Sequence, residues 1–172
     1  MQLKNKISTE RLAKDRVESF SFSEKDNFLA KILAELNEGL KFSELEVPSQ
    51  FDRDYFNFSG NVEKKYNSKY GEYIVVKAQV DTAFMCLCVN TGVVMTDFIK
   101  AEISAAIIDR KFEKIFNHEE DTNLYIDGQE LELYYHDDNG EFLLEDMVRE
   151  MIFLNKNPYP KASSFEGIKT KI

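Results

Sequence analysis

Cys86-Leu87-Cys88 sets two thiols with one residue between them. On an extended strand, residues two apart point to the same face, so both thiols can grip a soft metal from one side. A closed tetrahedral zinc site needs four ligands, and the chain has 2 cysteines and 2 histidines, so His118 and His136 would have to complete it. Burial in a core is the commoner use of cysteine. The expectation is therefore no metal, with Cys86 and Cys88 packed inward beside Val93 and Met95. His136-Asp137-Asp138-Asn139-Gly140-Glu141 has part of the ligand spacing of a calcium loop. Tyr135 stands where that loop should open, and Asp146 where a bidentate Glu should close it, so a turn between strand and helix is expected instead. No glycine-rich phosphate loop, dinucleotide fingerprint or nucleophile elbow occurs. No histidine is spaced to activate a cysteine, and the carboxylates show no distinguishable acid–base pair. Neither an enzyme nor a bound cofactor is expected.

The elements that would position these groups follow from periodicity. From Tyr73 to Val89 the even positions Ile74, Val76, Ala78, Val80, Phe84, Cys86 and Cys88 are largely apolar. After Asn90-Thr91-Gly92 the apolar set moves to odd positions, from Val93 and Met95 to Ile107. Alternation of this kind marks strands with one buried face. Keeping both apolar faces on the same side needs a four-residue loop, Val89 to Gly92, which sets Cys88 opposite Val93 and Val80 opposite Ala101. Gly92 then takes the left-handed conformation. Asp54 to Val62 reads as a third strand, with Gly60 at a bend or bulge. Phe28, Leu29, Ile32, Leu33 and Leu36 recur at helical spacing and predict a helix over 24–38, ending at Gly39. Thr9 to Val17 reads as a short helix, and Asp109 to Asn117 can be another. Leu124 to Ile126 and Glu130 to Tyr135 read as a hairpin about Asp127-Gly128.

A last helix, 142–154, carries the inner stripe Leu144, Met147, Val148 and Met151. Glu145 and Glu150 lie on its outer side with Arg149, four residues after Glu145 and able to pair with it. The predicted architecture is a single α+β domain over 1–160: an antiparallel sheet built on the long central hairpin, covered by the two main helices. Residues 161–172 form a mobile tail.

Length and charge bound the class. The 172 residues carry 31 acidic against 22 basic side chains, a formal charge of -9. Such a surface repels a polyphosphate backbone, since nucleic-acid affinity comes largely from Lys and Arg. Lys64-Lys65 with Lys69, and Lys161 with Lys169 and Lys171, are the basic groupings, and solvated charge accounts for them. The longest apolar run, Ala83 to Val89, falls far short of a membrane span. No apolar segment of a secretion signal follows the basic start. Two close cysteines fit a reducing cytoplasm.

The order of features resembles the YceD-like family, bacterial proteins named for large-subunit ribosomal RNA accumulation. Its members show a Gly-Val strand, a strand ending in Cys-x-Arg-Cys, an acidic variable stretch, and an acidic-aliphatic helix ending in Leu-x-x-Pro. Here these correspond to Gly60-Asn61-Val62, Phe84-Met85-Cys86-Leu87-Cys88, the stretch 117–141, and Phe142 to Leu154 followed by Pro158-Tyr159-Pro160. Ser8-Thr9-Glu10-Arg11-Leu12-Ala13 is similar to the family's N-terminal segment. One residue separates the cysteines here instead of two, the arginine between them is absent, and Ala162-Ser163-Ser164 stands where the family has further cysteines. The resemblance implies a cytoplasmic, non-enzymatic factor in large-subunit assembly or rRNA accumulation. Its partner would be a basic ribosomal protein or rRNA-processing factor, with direct RNA contact and oligomeric state left open and no membrane involved. Cys86, Cys88, Glu145, Arg149 and Glu150 are its candidate binding residues. The alternatives are an acidic adaptor or chaperone-like protein binding client peptides, and then an enzyme with scattered carboxylates.

Overall fold

The computed structural model describes residues 5–116 and 123–162. The acidic loop with His118, the lysines at 169 and 171, the tail from 163 and the first four residues lie outside the described residues. In chain order the elements are β1 (Lys6–Ser8), β2 (Val17–Ser23), α1 (Asn27–Asn37), β3 (Tyr55–Asn67), β4 (Gly71–Leu87), β5 (Val94–Asp109), α2 (Glu113–Phe116), β6 (Asn123–Ile126), β7 (Gln129–His136), β8 (Glu141–Leu143) and α3 (Leu144–Asn155). Short 3-10 turns occupy Phe42–Glu44 and Arg110–Phe112.

The predicted α+β architecture, an antiparallel sheet under two covering helices, is overturned. The fold is mainly β: a six-stranded mixed sheet in the order β2-β3-β4-β5-β7-β6, and a separate two-stranded sheet of β1 and β8. The three α-helices are short, of 11, 4 and 12 residues. Two features account for the difference. The segment read as a helix up to Val17 leads into strand β2, where Phe20 and Phe22 are buried and Ser19 and Ser21 are exposed, a period of two. The hairpin of β6 and β7 joins the main sheet through β7, which runs parallel to β5 from Ala105↔Glu132 to Asp109↔His136. Parallel pairing needs a crossover, a non-local event that alternation within either strand does not reveal.

The described residues divide into two compact units. The first takes residues up to 21, 59–79 and 102–148. Its core includes Tyr70, Tyr73, Val75, Ala106, Ile108, Leu124, Ile126 and Leu131. Here Gly60 lets β3 approach β4 closely: a Cβ at that position would stand 2.3 Å from the Lys77 carbonyl oxygen. The start of α3 is satisfied from β1's flank. Asn5 accepts the Leu144 N–H on its carbonyl at 2.8 Å and the Glu145 N–H on its side chain at 3.0 Å. Those are two of the four donors a helix N-terminus leaves without an internal partner.

The second unit takes 22–58, 80–101 and the chain from 149 onward. The α1 stripe Leu29, Ile32, Leu33 and Leu36 is buried. Asn37, at the helix end, donates to Asp54 at 3.0 Å and accepts the Met85 N–H at 2.8 Å, fixing α1 to β4. Glu38 follows in the left-handed conformation and stops the helix one residue before Gly39. The β4–β5 turn has the expected closure: the Cys88 N–H donates to the Val93 carbonyl at 2.9 Å, the Gly92 N–H to the Cys88 carbonyl at 2.8 Å, and Gly92 has φ +72°. Continued without a bulge, that pair sets Val80 opposite Ala101.

Candidate functional site

The strand end that carries Cys86 and Cys88 is clasped by the chain that follows α3. The Val89 N–H donates to the Pro160 carbonyl at 3.0 Å. Cys88, Met95, Val47 and Ala162 form a small buried cluster, with Cys86 and Val93 packed against it. Cys88 is buried and Cys86 half-buried, both beside the neighbours expected from alternation. Ala162 is buried.

The two thiols differ in proton affinity. Burial, then the negative charge of Asp97, pushes Cys86 up to about 12. Cys88 is buried with Val47, Met95 and Ala162. Hydrogen bonds from the Thr91 side chain and then from the Ala162, Asn90 and Thr91 backbone pull it down to about 7. Of the two thiols, Cys88 is the more easily ionised.

A metal is poorly matched here. Among the described residues no group of three or more His, Cys, Asp or Glu side chains is placed to hold one. His136, the candidate third ligand, is buried in the first unit and directs Nδ1 to the Asp137 carbonyl at 2.9 Å. The turn that follows spends its carboxylate on the backbone. Asp137 Oδ1 accepts the N–H groups of Asn139 and Glu141, both at 2.9 Å, as in an Asx turn. It joins β7 to β8, strand to strand, instead of leading straight into a helix.

Glu145, Arg149 and Glu150 lie on α3 as anticipated. Arg149 reaches Glu35 of α1, with Nη1 at 2.7 Å and Nη2 at 3.3 Å from its two carboxylate oxygens. This bond from Arg149 holds the Glu35 carboxyl below its usual range. Glu150 and Asp146 are exposed and Glu145 half-buried. The structure thus brings Cys86 and Cys88 together with the post-helix segment, and links Arg149 to α1. Glu145 falls in the first unit, Cys86, Cys88, Arg149 and Glu150 in the second.

Sequence reasoning missed Thr91, Ala162, Glu35 and Asp97. Asp97 had a visible signal: it interrupts the apolar odd positions of β5 between Met95 and Ile99. It is half-buried and its carboxyl is raised by that burial. Comparison with family models, curated proteins and solved structures gives no match.

Proposed function

We propose that this chain is a YceD-like protein, a non-enzymatic factor in large ribosomal subunit assembly or rRNA accumulation that holds a basic protein partner on an acidic surface. The observation that carries the reading is the clasp in the second unit. Cys86-Leu87-Cys88 and the proline segment after α3 are separate marks of the resemblance, more than 70 residues apart in the chain. They form one element, through the Val89–Pro160 hydrogen bond and the packing of Ala162 on Cys88.

The same unit supplies a surface of suitable sign. Glu38, just past α1, and Glu150 on α3 are exposed, while the cation of Arg149 is engaged by Glu35. The whole chain adds to that sign with its formal charge of -9. Such a field steers a cationic partner and disfavours bare RNA. Phe153, Leu154 and Tyr159 are 82%, 65% and 70% exposed and add apolar contact area. Co-sedimentation of the tagged protein with large-subunit precursors tests the reading. Association that weakens when Glu145 and Glu150 are reversed to Lys supports it, and absence of the native protein from those fractions overturns it. The exposed Phe153, Leu154 and Tyr159 also favour a second reading, an adaptor holding client peptides. That reading requires broad binding of unfolded proteins and no preference for ribosomal fractions.

A further inference from the structure

The open part of β5 carries a notch that the ribosomal reading does not use. Among the described residues, β7 pairs with β5 from Ala105 onward and no strand lies on the outer side of residues 95–98. The connecting segment runs there instead. Glu46 and Val94 exchange hydrogen bonds at 3.0 and 3.3 Å, and the Ser49 and Thr96 hydroxyls meet at 3.0 Å. An irregular segment does not fill an edge as a strand would, and a cavity of about 200 Å³ remains, walled by Val47, Phe51, Met95, Asp97 and Phe98. It is smaller than the ~300–1,000 Å³ of drug-sized sites and suits a single side chain.

Its chemistry is specific in sign. The Phe51 and Phe98 rings stand 5.9 Å apart at 56°, and Phe98 is 48% exposed. Asp97 uses Oδ1 to accept the outward Phe98 N–H at 2.8 Å, which turns its carboxylate to the strand edge, in the wall of the cavity that Met95 and the two rings also line. Among the described residues it has no ion pair within 4.0 Å. Lys156 acts on it only at longer range, and Lys161 is exposed on the cavity rim. A half-buried carboxylate without a close cation gains most from a donor that brings both charge and hydrogen bonds. A planar guanidinium stacks on aromatic faces, which an ammonium does less well.

We infer that the notch of Phe51, Asp97 and Phe98 is a socket for an arginine side chain of the basic protein partner. This deepens the assembly reading and rests on it for the identity of the partner. The probe is an arginine-rich hexapeptide, with its citrulline counterpart as the uncharged control of equal shape. Backbone amide shifts are followed on the full chain. The arginine peptide should move the amides of Phe51 and 96–98, with the citrulline peptide at least about tenfold weaker, as loss of a charge-assisted pair implies. Asp97→Asn should weaken the arginine peptide by a similar factor while leaving the rest of the spectrum in place. Phe98→Leu, which keeps the apolar volume without the aromatic face, should weaken it less. Equal binding of the two peptides, indifference to Asp97→Asn, or shifts confined to another surface would each overturn the socket. Peptide binding at the notch without ribosomal co-sedimentation of the native protein would sink the assembly reading and leave the socket standing as a guanidinium site.

Discussion

Gly60→Ala tests the close approach of β3 to β4. Gly60 is outside the positive-φ set, so alanine can adopt its conformation and any cost comes from space alone. The added Cβ would lie 2.3 Å from the Lys77 carbonyl oxygen, 2.7 Å from Ala78 Cα and 2.9 Å from Ala78 Cβ. None of these belongs to a flexible side-chain end, so no rotamer change relieves them. Restoring an ordinary 3.4 Å separation requires β3 and β4 to part by about 1 Å. Two ladder hydrogen bonds weakened by that movement cost ~1–3 kcal/mol, and residual overpacking adds ~1–3 kcal/mol. The stiffer unfolded chain returns only ~0.4–1 kcal/mol. The net loss is roughly 2–5 kcal/mol, which for a chain this long lowers Tm by roughly 5–15 °C. Urea and thermal unfolding followed by far-ultraviolet circular dichroism measure it. Gly39→Ala is the control, since Gly39 has φ +80° with open space around it and tests conformational strain without a clash. A Gly60→Ala protein within ~0.5 kcal/mol of the parent, the level of an ordinary surface change, would refute the close-approach argument.

Met147 is fully buried on α3, and Met147→Ala should cost ~2–5 kcal/mol in chemical denaturation. Glu145→Lys with Glu150→Lys should cost only ~0.3–1 kcal/mol, mostly the lost acidic residue in the first helical turn; equal losses would make the helix surface structural. Cys88 titrates near 7 when folded against an ordinary 9.0, so its contribution is fully present above pH 9 and fades as pH falls through 7. The Tm of the parent relative to Cys88→Ala should therefore rise between pH 6 and pH 9, and a flat difference would contradict the sulfur's hydrogen bonds. Cys86 has the opposite sign: its contribution is present below pH 9 and lost as pH rises toward 12. With no third ligand placed beside the cysteines among the described residues, a chelator should leave Tm unchanged, whereas a drop restored by zinc would reveal a site.

Which elements were legible depends on how local their causes are. The inner faces of α1 and α3 repeat over about two turns, and the residues on them are buried. The hairpin turn at 89–92 followed from keeping two alternating faces on one side, and its closing hydrogen bond joins the expected pair. β1 and β8 have three residues each, too few to show a period, and are held by pairing with each other across more than 130 residues. The parallel β5–β7 ladder is equally non-local. Reading β7 as half of a small hairpin did not show that its other edge is also paired, nor with that the mixed character of the sheet.

The cysteines show the same division at the scale of a single site. Alternation placed both sulfurs on one face, and they share one apolar cluster. Nothing in a Cys-x-Cys spacing separates a thiol near 12 from one near 7. The separation arises from what surrounds each sulfur: apolar cover and Asp97 for Cys86, donors from Asn90 and Thr91 of the turn and Ala162 of the returning chain for Cys88. The turn donors are local. Ala162 is brought back by α3 and the Val89–Pro160 hydrogen bond, so the chemistry at the strand end depends on a segment more than 70 residues away. Arg149 follows the same logic: its fork meets both carboxylate oxygens of Glu35, 114 positions away in the chain. Spacing determines which groups can share a face, and the returning chain determines what those groups can do.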